Sequence, residues 1–318
     1  MSSVVLEPVT WSVLYSCLAL FTIIGNSLSI AVFVNSPRLR RMRTSLLLIN
    51  LAVADLFVGA FAVPMYMVFQ WPHSTLARDA AFMTSYEAID LFSGFASLFS
   101  LSLIGLERVF AVFWPHRHRA TGIPPYFVAV VLCWLLSSLQ VLLHILKDLN
   151  IVELKVFFFN MMFALSFVLV VMLATYTAVW YKVRARQKEL RGRQRRYSRV
   201  SVEQEHKLIL TLAIVTGVFV VTWLPFHLLN IAMFFCIRCR QNVGLNLVHA
   251  IKLLHYSNSF MNLIIYSFRF PDFRRTLCRF CGRHLRVKPE QSNAVGHMSS
   301  LKTHNQSPIE LEGVSNIS

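Results

Sequence analysis

Residues 45–69 read SLLLINLAVADLFVGAFAVPMYMVF, an apolar stretch in which Asp55 is the only charged side chain. A helix needs about 20 apolar residues to cross the hydrocarbon core of a bilayer, so this stretch predicts a membrane-spanning helix. A carboxylate at that depth costs about 3 kcal/mol on insertion scales, and such groups face a bundle interior. We therefore predict that Asp55 has a partner there, which is another side chain, an ion or a proton.

The rest of the chain contains six more apolar stretches that are long enough, or nearly so, to span a membrane. They lie at about 11–34, 80–112, 124–146, 154–181, 207–235 and 243–268. The chain is 56% hydrophobic and 14% charged, with a mean hydropathy of +0.56, a composition that soluble domains rarely have. The predicted fold class is an all-α membrane protein, namely a seven-transmembrane helix bundle.

The net charge of +16 is unevenly placed along the chain. Basic residues follow the first, third and seventh stretches and fill the connection between the fifth and sixth, whereas the other connections are nearly balanced. This alternation is the positive-inside pattern of membrane proteins, and it argues against nucleic acid as a partner. It predicts a multi-pass plasma-membrane protein with an extracellular N-terminus. Residues 1–283 would form the seven-transmembrane domain, and residues 284–318 a disordered cytoplasmic tail.

Polar side chains recur at three- and four-residue steps in three of the stretches, and this spacing places them on one face of a helix. They include Glu87, Asp90, Ser97 and Arg108 in the third, Glu205, Thr216, Trp223 and Asn230 in the sixth, and His255, Asn258, Ser259, Asn262 and Tyr266 in the seventh. Polar groups in hydrocarbon face the bundle interior, so the pattern predicts an organised polar core. For any single Ser or Asn, the alternative is a hydrogen bond that only joins two helices.

Seven short motifs follow one another along the chain. They are Gly25-Asn26, Leu51-Ala52-Val53-Ala54-Asp55, Glu107-Arg108-Val109, Trp134, Tyr176, Trp223-Leu224-Pro225 and Asn262-Leu263-Ile264-Ile265-Tyr266. In this order and spacing the chain resembles a rhodopsin-like (class A) G-protein-coupled receptor over almost its whole length. Leu263 stands where the family has a proline, so we expect a softer kink in the seventh helix.

The resemblance implies a receptor rather than an enzyme, with a short amphipathic eighth helix around Phe270 and Phe273. Its partners would be a small extracellular ligand, a heterotrimeric G protein, arrestin, receptor kinases and membrane lipids. Cys278 and Cys281, just past the last span, are candidates for S-palmitoylation, and the alternative is two free thiols.

The resemblance also implies an ion site at mid-membrane, where sodium would act as an allosteric ligand and no cofactor is expected. Its residues would be Asp55, Ser97, Trp223, Asn258, Ser259 and Asn262. One carboxylate with several neutral oxygens suits a hard cation. The alternative is a protonated Asp55 that is hydrogen-bonded to Asn.

At the cytosolic end, the resemblance implies a G-protein switch made by Glu107, Arg108, Tyr176, Glu205 and Tyr266. Arg108 would pair with Glu107 and with Glu205, and this pair would hold the third and sixth helices together. Breaking it would let the sixth helix swing outward, which is a two-state change that a ligand can bias.

In the fifth to seventh stretches the chain looks most similar to adenosine receptors. The implied ligand-binding residues are Asp90, Asn160, Trp223, Phe226, His227, Asn230 and His255. Asn230 would read the purine edge, His255 would lie near the ribose, and Cys236 and Cys239 would form an extracellular disulfide.

Asp90 leaves the ligand class open at this stage. Amine receptors place an acid there to pair with the ligand's ammonium, so a biogenic-amine receptor is one alternative, and Asp90 could instead pair with His255. An orphan related to the melanocortin and lipid receptors is another alternative. A retinal photoreceptor is disfavoured, because Lys252 lies one turn before the position of His255.

Overall fold

The computed structural model describes residues 2–40, 42–71, 74–192, 199–269, 271–280 and 282. Over these ranges the chain forms helices joined by short connections, and no described residue belongs to a β-strand. The long helices are α1 (Ser2–Asn35), α2 (Arg43–Gln70), α3 (Ala80–Phe113), α4 (Pro124–Asp148), α5 (Leu154–Gly192), α6 (Arg199–Phe235) and α7 (Leu245–Arg269), and α8 (Pro271–Phe280) follows them. The tail predicted over residues 284–318 lies outside the described residues.

The helix bounds agree with the seven spans expected from the apolar stretches. Among the described residues, six helices are long and apolar enough to cross a membrane, and they belong to α1 through α6. The seventh, α7, is less apolar because Lys252, His255, Asn258 and Asn262 lie along it. These polar residues are buried within the bundle, so α7 does not need the hydropathy of a lipid-exposed helix.

Helix α3 is the centre of the bundle, and it packs against α2, α4 and α5. Further contacts join α1 to α2, α5 to α6, α6 to α7 and α7 to α1. The largest buried apolar cluster joins α2, α3, α5 and α6; its members are Leu51, Phe95, Leu98, Leu101, Phe158, Met162, Leu165, Val168, Met172, Phe219 and Trp223. This packing fixes the polar faces of α2, α3, α6 and α7 toward one another.

Helix α2 contains one wide turn, the π-helical segment Val58–Ala62, between Asp55 and Pro64. Proline cannot donate to the carbonyl four residues earlier and its ring collides with it, so a wider turn just before Pro64 accommodates the ring. Gly59 lies in this turn, where an added Cβ would come 2.9 Å from Cγ2 of Thr22 on α1. Glycine therefore permits the close approach of α1 and α2.

The C-terminal half of α7 continues without a break through Leu263, the residue in place of the family's proline. The predicted eighth helix is present as Pro271–Phe280. Phe273 is fully buried, with its ring 5.3 Å from that of Phe33 on α1, whereas Arg274 and Arg279 are exposed. This division between a buried and a charged face is typical of a helix that lies along a membrane surface.

Candidate functional site

Asp55 lies at the meeting point of α2, α3 and α7, and its side chain is fully buried. Its Oδ1 accepts a hydrogen bond from Oγ of Ser97 at 2.9 Å, and its Oδ2 accepts one from Nδ2 of Asn262 at 2.6 Å. Asn26 of α1 donates to the backbone carbonyl of Ser259 at 2.9 Å, which joins α1 to the same group. The structure thus places Ser97 and Asn262, two of the residues predicted around Asp55, in hydrogen-bond contact with it.

A small cavity lies beside this group. It is lined by Val58, Asp90, Gly94, Ser97, Trp223, His255, Tyr256, Asn258 and Ser259. It therefore connects the level of Ser97 and Asp55 with the level of Asp90, about two helical turns nearer the start of α3. The lining combines hydroxyl and amide oxygens with aromatic rings, a set that fits a water molecule or a small cation.

Asp90 pairs with Lys252, and this partner differs from the predicted His255. Nζ of Lys252 lies 2.6 Å from Oδ2 of Asp90, and the Tyr256 hydroxyl donates to Oδ1 at 2.8 Å. No hydrogen bond joins Asp90 to His255 in the described part of the bundle. His255 and Tyr256 point about 100° apart around α7, and the side chains that reach Asp90 are those of Lys252 and Tyr256, which are four residues apart.

His255 instead packs among aromatic rings of α6. Its ring stacks on Phe226, with centroids 4.4 Å apart and planes at 11°, and meets Trp223 edge-on at 4.2 Å. His255 is 6% exposed, and its Nδ1 has no hydrogen-bond partner among the described residues. Three predicted ligand-binding residues therefore form one contiguous aromatic surface.

The other predicted ligand-binding residues are more widely spread. Asn230 donates to the carbonyl of Phe226 on its own helix at 2.8 Å. Asn160 of α5 donates to Oε1 of Gln140 on α4 at 2.7 Å, and His227 bonds to Ser166 of α5 at 3.2 Å. Asn160 and His227 therefore join neighbouring helices in this conformation, as the alternative for single polar residues anticipated.

The cysteine predictions are resolved in part. Cys236 and Cys239 form a disulfide, with Sγ atoms 2.14 Å apart, beside the short helix Ile237–Asn242 that connects α6 and α7. Cys278 lies on α8 as a free thiol of intermediate exposure. Cys281 lies outside the described residues, and the palmitoylation of either cysteine stays a prediction.

Near the C-terminal end of α3, the buried carboxylate of Glu107 has three partners. Oε2 lies 2.6 Å from Nε of Arg108, and Oε1 accepts from Thr44 of α2 at 3.1 Å. Oε1 also lies 2.9 Å from Nε2 of His118, in the short helix Pro115–Ala120 after α3. Arg108 in turn donates to Oγ1 of Thr44. These contacts join α2, α3 and the short helix after α3.

Arg43, at the start of α2, strengthens the same connection. Its guanidinium donates to the backbone carbonyls of His118 and Arg119, the latter at 2.8 Å. The last carbonyls of a helix lack partners within it, so a cation there satisfies them. Of the other predicted switch residues, Tyr176 is half-buried on α5, and the side chains of Glu205 and Tyr266 lie outside the described part of the chain.

Replacing Thr44 by Val should raise ligand-independent G-protein activation. The change removes one hydroxyl that binds both Glu107 and Arg108. Because a hydrogen bond contributes about 1 kcal/mol, the equilibrium between paired and released Arg108 should shift roughly fivefold toward the released form. Nucleotide exchange on a G protein, measured in membranes without ligand, would report this. Thr121→Val is the matched control, because the Thr121 hydroxyl bonds only to the carbonyl of Arg117 in its own turn. Equal basal activity in both variants would contradict the prediction.

The sequence analysis did not predict Lys252 and Tyr256 as partners of Asp90. It also did not predict Thr44 and His118 as partners of Glu107. Lys252 had a signal that could have been used: it precedes His255 by three residues and is an intramembrane charge, which marks a functional site by default. His118 had no comparable signal, because its position depends on how the connection after α3 folds.

Comparisons with known proteins agree with this architecture. A family model described as "7 transmembrane receptor (rhodopsin family)" matches residues 25–266. The human adenosine receptor A2a is 26% identical over 315 residues, which cover 88% of this chain and 74% of that receptor. The D(1A) dopamine receptor of Xenopus laevis is 26% identical over 345 residues, which cover 89% of this chain and 74% of that receptor. The D(1) dopamine receptor of Carassius auratus is 27% identical over 320 residues, with 84% and 86% covered.

The chain therefore belongs to the rhodopsin family of seven-transmembrane receptors, because the family match spans most of its length. It is a multi-pass membrane protein, and its relatives are receptors rather than enzymes, which confirms both predictions. Membership implies a small-molecule ligand and G-protein coupling in general terms.

Proposed function

We propose that this receptor binds a nucleoside, adenosine or a close relative, between α3, α5, α6 and α7, and then activates a heterotrimeric G protein. The observation that supports a neutral ligand is the pairing of Asp90 with Lys252 at 2.6 Å. Because the two charges neutralise each other, the pocket offers aromatic faces and hydrogen-bonding groups without requiring a charged ligand. The similarity to the human adenosine receptor A2a supports the same class.

The aromatic surface of α6 and α7 supplies the binding geometry for a purine. Trp223 and Phe226 would form the floor and wall, and His255, stacked on Phe226, would approach the sugar. Asn230 uses one amide hydrogen on its own helix, so its oxygen and second hydrogen remain to pair with the donor and acceptor of a purine edge.

A biogenic amine is the second candidate ligand. The Tyr256 hydroxyl orients the carboxylate of Asp90 toward the pocket centre, and two dopamine receptors are as similar to this chain as the adenosine receptor. An amine would have to replace the ammonium of Lys252 at Asp90, and Lys252 would then need another counter-charge. A neutral nucleoside avoids this requirement.

A ligand panel with a cAMP readout tests the choice. Asn230→Ala should reduce the apparent affinity for adenosine about tenfold or more, because an unpaired amide edge costs roughly 1–3 kcal/mol. Asn242→Ala is the matched control, since Asn242 makes the same bond to the carbonyl four residues earlier but on the exposed connection between α6 and α7.

Asp90→Asn distinguishes the two ligand classes. The change leaves the buried Lys252 ammonium without its partner and should lower the stability of the receptor. Among receptors that reach the cell surface, the affinity for a neutral nucleoside should be kept, whereas an amine would lose its counter-charge and its response. If the wild-type receptor ignores adenosine and answers an amine, and Asp90→Asn loses that answer, the nucleoside proposal is wrong.

We also propose that sodium binds beside Asp55 as an allosteric ligand. The buried carboxylate, the hydroxyl groups of Ser97 and Ser259 and the amide of Asn258 fit the oxygen ligands that a hard cation prefers. Ser97, Asn258 and Ser259 line a cavity that also reaches Trp223 and His255, which gives the ion a route of influence on the ligand pocket. Arrestin, receptor kinases and membrane lipids are proposed as partners on family resemblance alone.

The proposed topology places the N-terminus outside the cell, with the receptor in the plasma membrane. The reason is the alternation of Arg and Lys between connections. An epitope tag at residue 2 should be stained on intact cells, and a tag at residue 318 only after permeabilisation. The reverse staining would refute the topology.

A further inference from the structure

The ammonium group of Lys252 lies among aromatic rings from four helices. Nζ is 4.7 Å from the ring centroid of Phe226, 4.9 Å from Tyr256, 5.8 Å from Tyr66 and 6.0 Å from Tyr86. A cation within about 6 Å of an aromatic centroid is attracted by the ring's quadrupole. Lys252 is only 7% exposed, so this attraction acts with little competition from water.

A carboxylate completes the surroundings of this ammonium group. Oδ2 of Asp90 is 2.6 Å from Nζ, and the Tyr256 hydroxyl holds Oδ1 at 2.8 Å. The hydroxyl of Tyr86 lies 3.4 Å from that of Tyr256, so two of the rings around Lys252 are connected to the carboxylate through their hydroxyl groups. Aromatic rings around a single acid are the means by which proteins recognise ligand ammonium groups.

We propose that Asp90 and the rings of Tyr66, Tyr86, Phe226 and Tyr256 form an ammonium-binding site that Lys252 fills from within the receptor. The occupant is a side chain of the chain itself, so a free alkylammonium takes the site when that side chain is removed. Lys252 is therefore a specificity-determining residue, because it keeps external ammonium ligands out of a site that is otherwise built for them.

The geometry favours this over an ordinary ion pair between α3 and α7. An ion pair requires only Asp90 and Lys252, whereas three of the four rings lie on α2, α3 and α6 and converge on the same nitrogen. If the rings contribute to recognition, removing one must weaken the binding of a free ammonium. If they are only neighbours, it must not.

Chemical rescue of Lys252→Ala tests the inference. The change removes three methylene carbons and the nitrogen, and propylammonium carries three carbons and one nitrogen. The purified full-length receptor with Lys252→Ala should melt lower by on the order of 10 °C, because Asp90 loses its counter-ion. Propylammonium should recover most of this loss in a saturable way, whereas 1-propanol, the neutral molecule of the same size, should not.

Matched variants make the result specific. The double variant Asp90→Asn with Lys252→Ala should not respond to propylammonium, and the wild-type receptor should not respond either. Phe226→Leu in the Lys252→Ala background should need a several-fold higher propylammonium concentration for half-maximal rescue. If Lys252→Ala cannot be purified, its cell-surface expression is measured with and without propylammonium, and recovery is again expected.

Three results would overturn the inference. They are a failure of propylammonium to rescue Lys252→Ala in either assay, an equal rescue by 1-propanol or in the Asp90→Asn double variant, and an unchanged half-maximal concentration after Phe226→Leu. None of these measurements uses adenosine, so they do not depend on the proposed nucleoside ligand.

Discussion

Replacing Lys252 by Met is expected to lower the free energy of unfolding by about 3–5 kcal/mol, because it leaves the Asp90 carboxylate buried without a counter-charge. Methionine keeps the length and the apolar stem of lysine, so the change isolates the charge. The pair is mostly buried, with side chains 8% and 17% exposed, and solvent therefore screens it little. Thermal melting of the purified receptor would measure the loss.

Two further variants define the origin of that loss. Adding Asp90→Asn to Lys252→Met should recover much of the stability, since the uncompensated charge is then gone. Lys147→Met is the matched control at the C-terminal end of α4, where Lys147 pairs with Asp148 at 2.9 Å but is more exposed; its loss should stay below about 1 kcal/mol. A Lys252→Met receptor that melts like the wild type would show that Asp90 is not charged there.

Asp55→Asn is expected to abolish the effect of sodium on agonist binding and to weaken signalling. Asparagine keeps the shape of the side chain beside Ser97 and Asn262, but it loses the charge that attracts a cation. In the wild-type receptor, sodium should change agonist affinity by about fivefold or more, the lower range of allosteric coupling. Competition binding in sodium and in an impermeant organic cation would measure both receptors.

The control for this variant is Asp148→Asn, at the C-terminal end of α4. The Asp148 carboxylate accepts a hydrogen bond from Thr84 at 3.0 Å and lies far along the bundle from Asp55. It should keep the full sodium dependence. A sodium dependence that persists in Asp55→Asn would instead favour a protonated Asp55 in the wild-type receptor.

The positions of the helices could be predicted from the sequence, because a bilayer imposes a minimum apolar length that is visible residue by residue. The group around Asp55 was equally accessible: a lone carboxylate must have partners, and Ser97 and Asn262 lie on the facing polar stripes. These predictions needed only the face of each helix, which residue spacing determines to within about one position.

The partner of Asp90 could not be predicted in the same way. Consecutive residues on a helix point about 100° apart, so assigning His255 or Tyr256 to Asp90 requires the rotation of α7 relative to α3. That rotation is set by packing across the bundle, to which the whole of α7 contributes. The pairing with Lys252 follows from the same rotation and was missed for the same reason.

The group around Glu107 shows a second reason why some contacts could not be predicted from the sequence. Glu107 and Arg108 were predicted from their motif, but Thr44 comes from α2 and His118 from the short helix after α3. Thr44 precedes the apolar stretch of α2 and His118 lies in a connection, so neither belongs to a segment with apolar periodicity. The cross-helix pairing of Arg108 with Glu205 stays a prediction, since the side chain of Glu205 lies outside the described residues.

The wide turn Val58–Ala62 rotates the second half of α2 about the helix axis relative to the first half. Each residue advances an α-helix by about 100°, so an extra residue in one turn changes the direction of every side chain beyond it. Tyr66 lies beyond the turn and reaches the ring of Tyr256 at 6.0 Å. Deleting one residue within the turn would keep α2 helical but point Tyr66 about a quarter of a revolution away from this position. The arrangement of rings around Lys252 thus depends on the length of one turn as well as on the identity of the residues that form it.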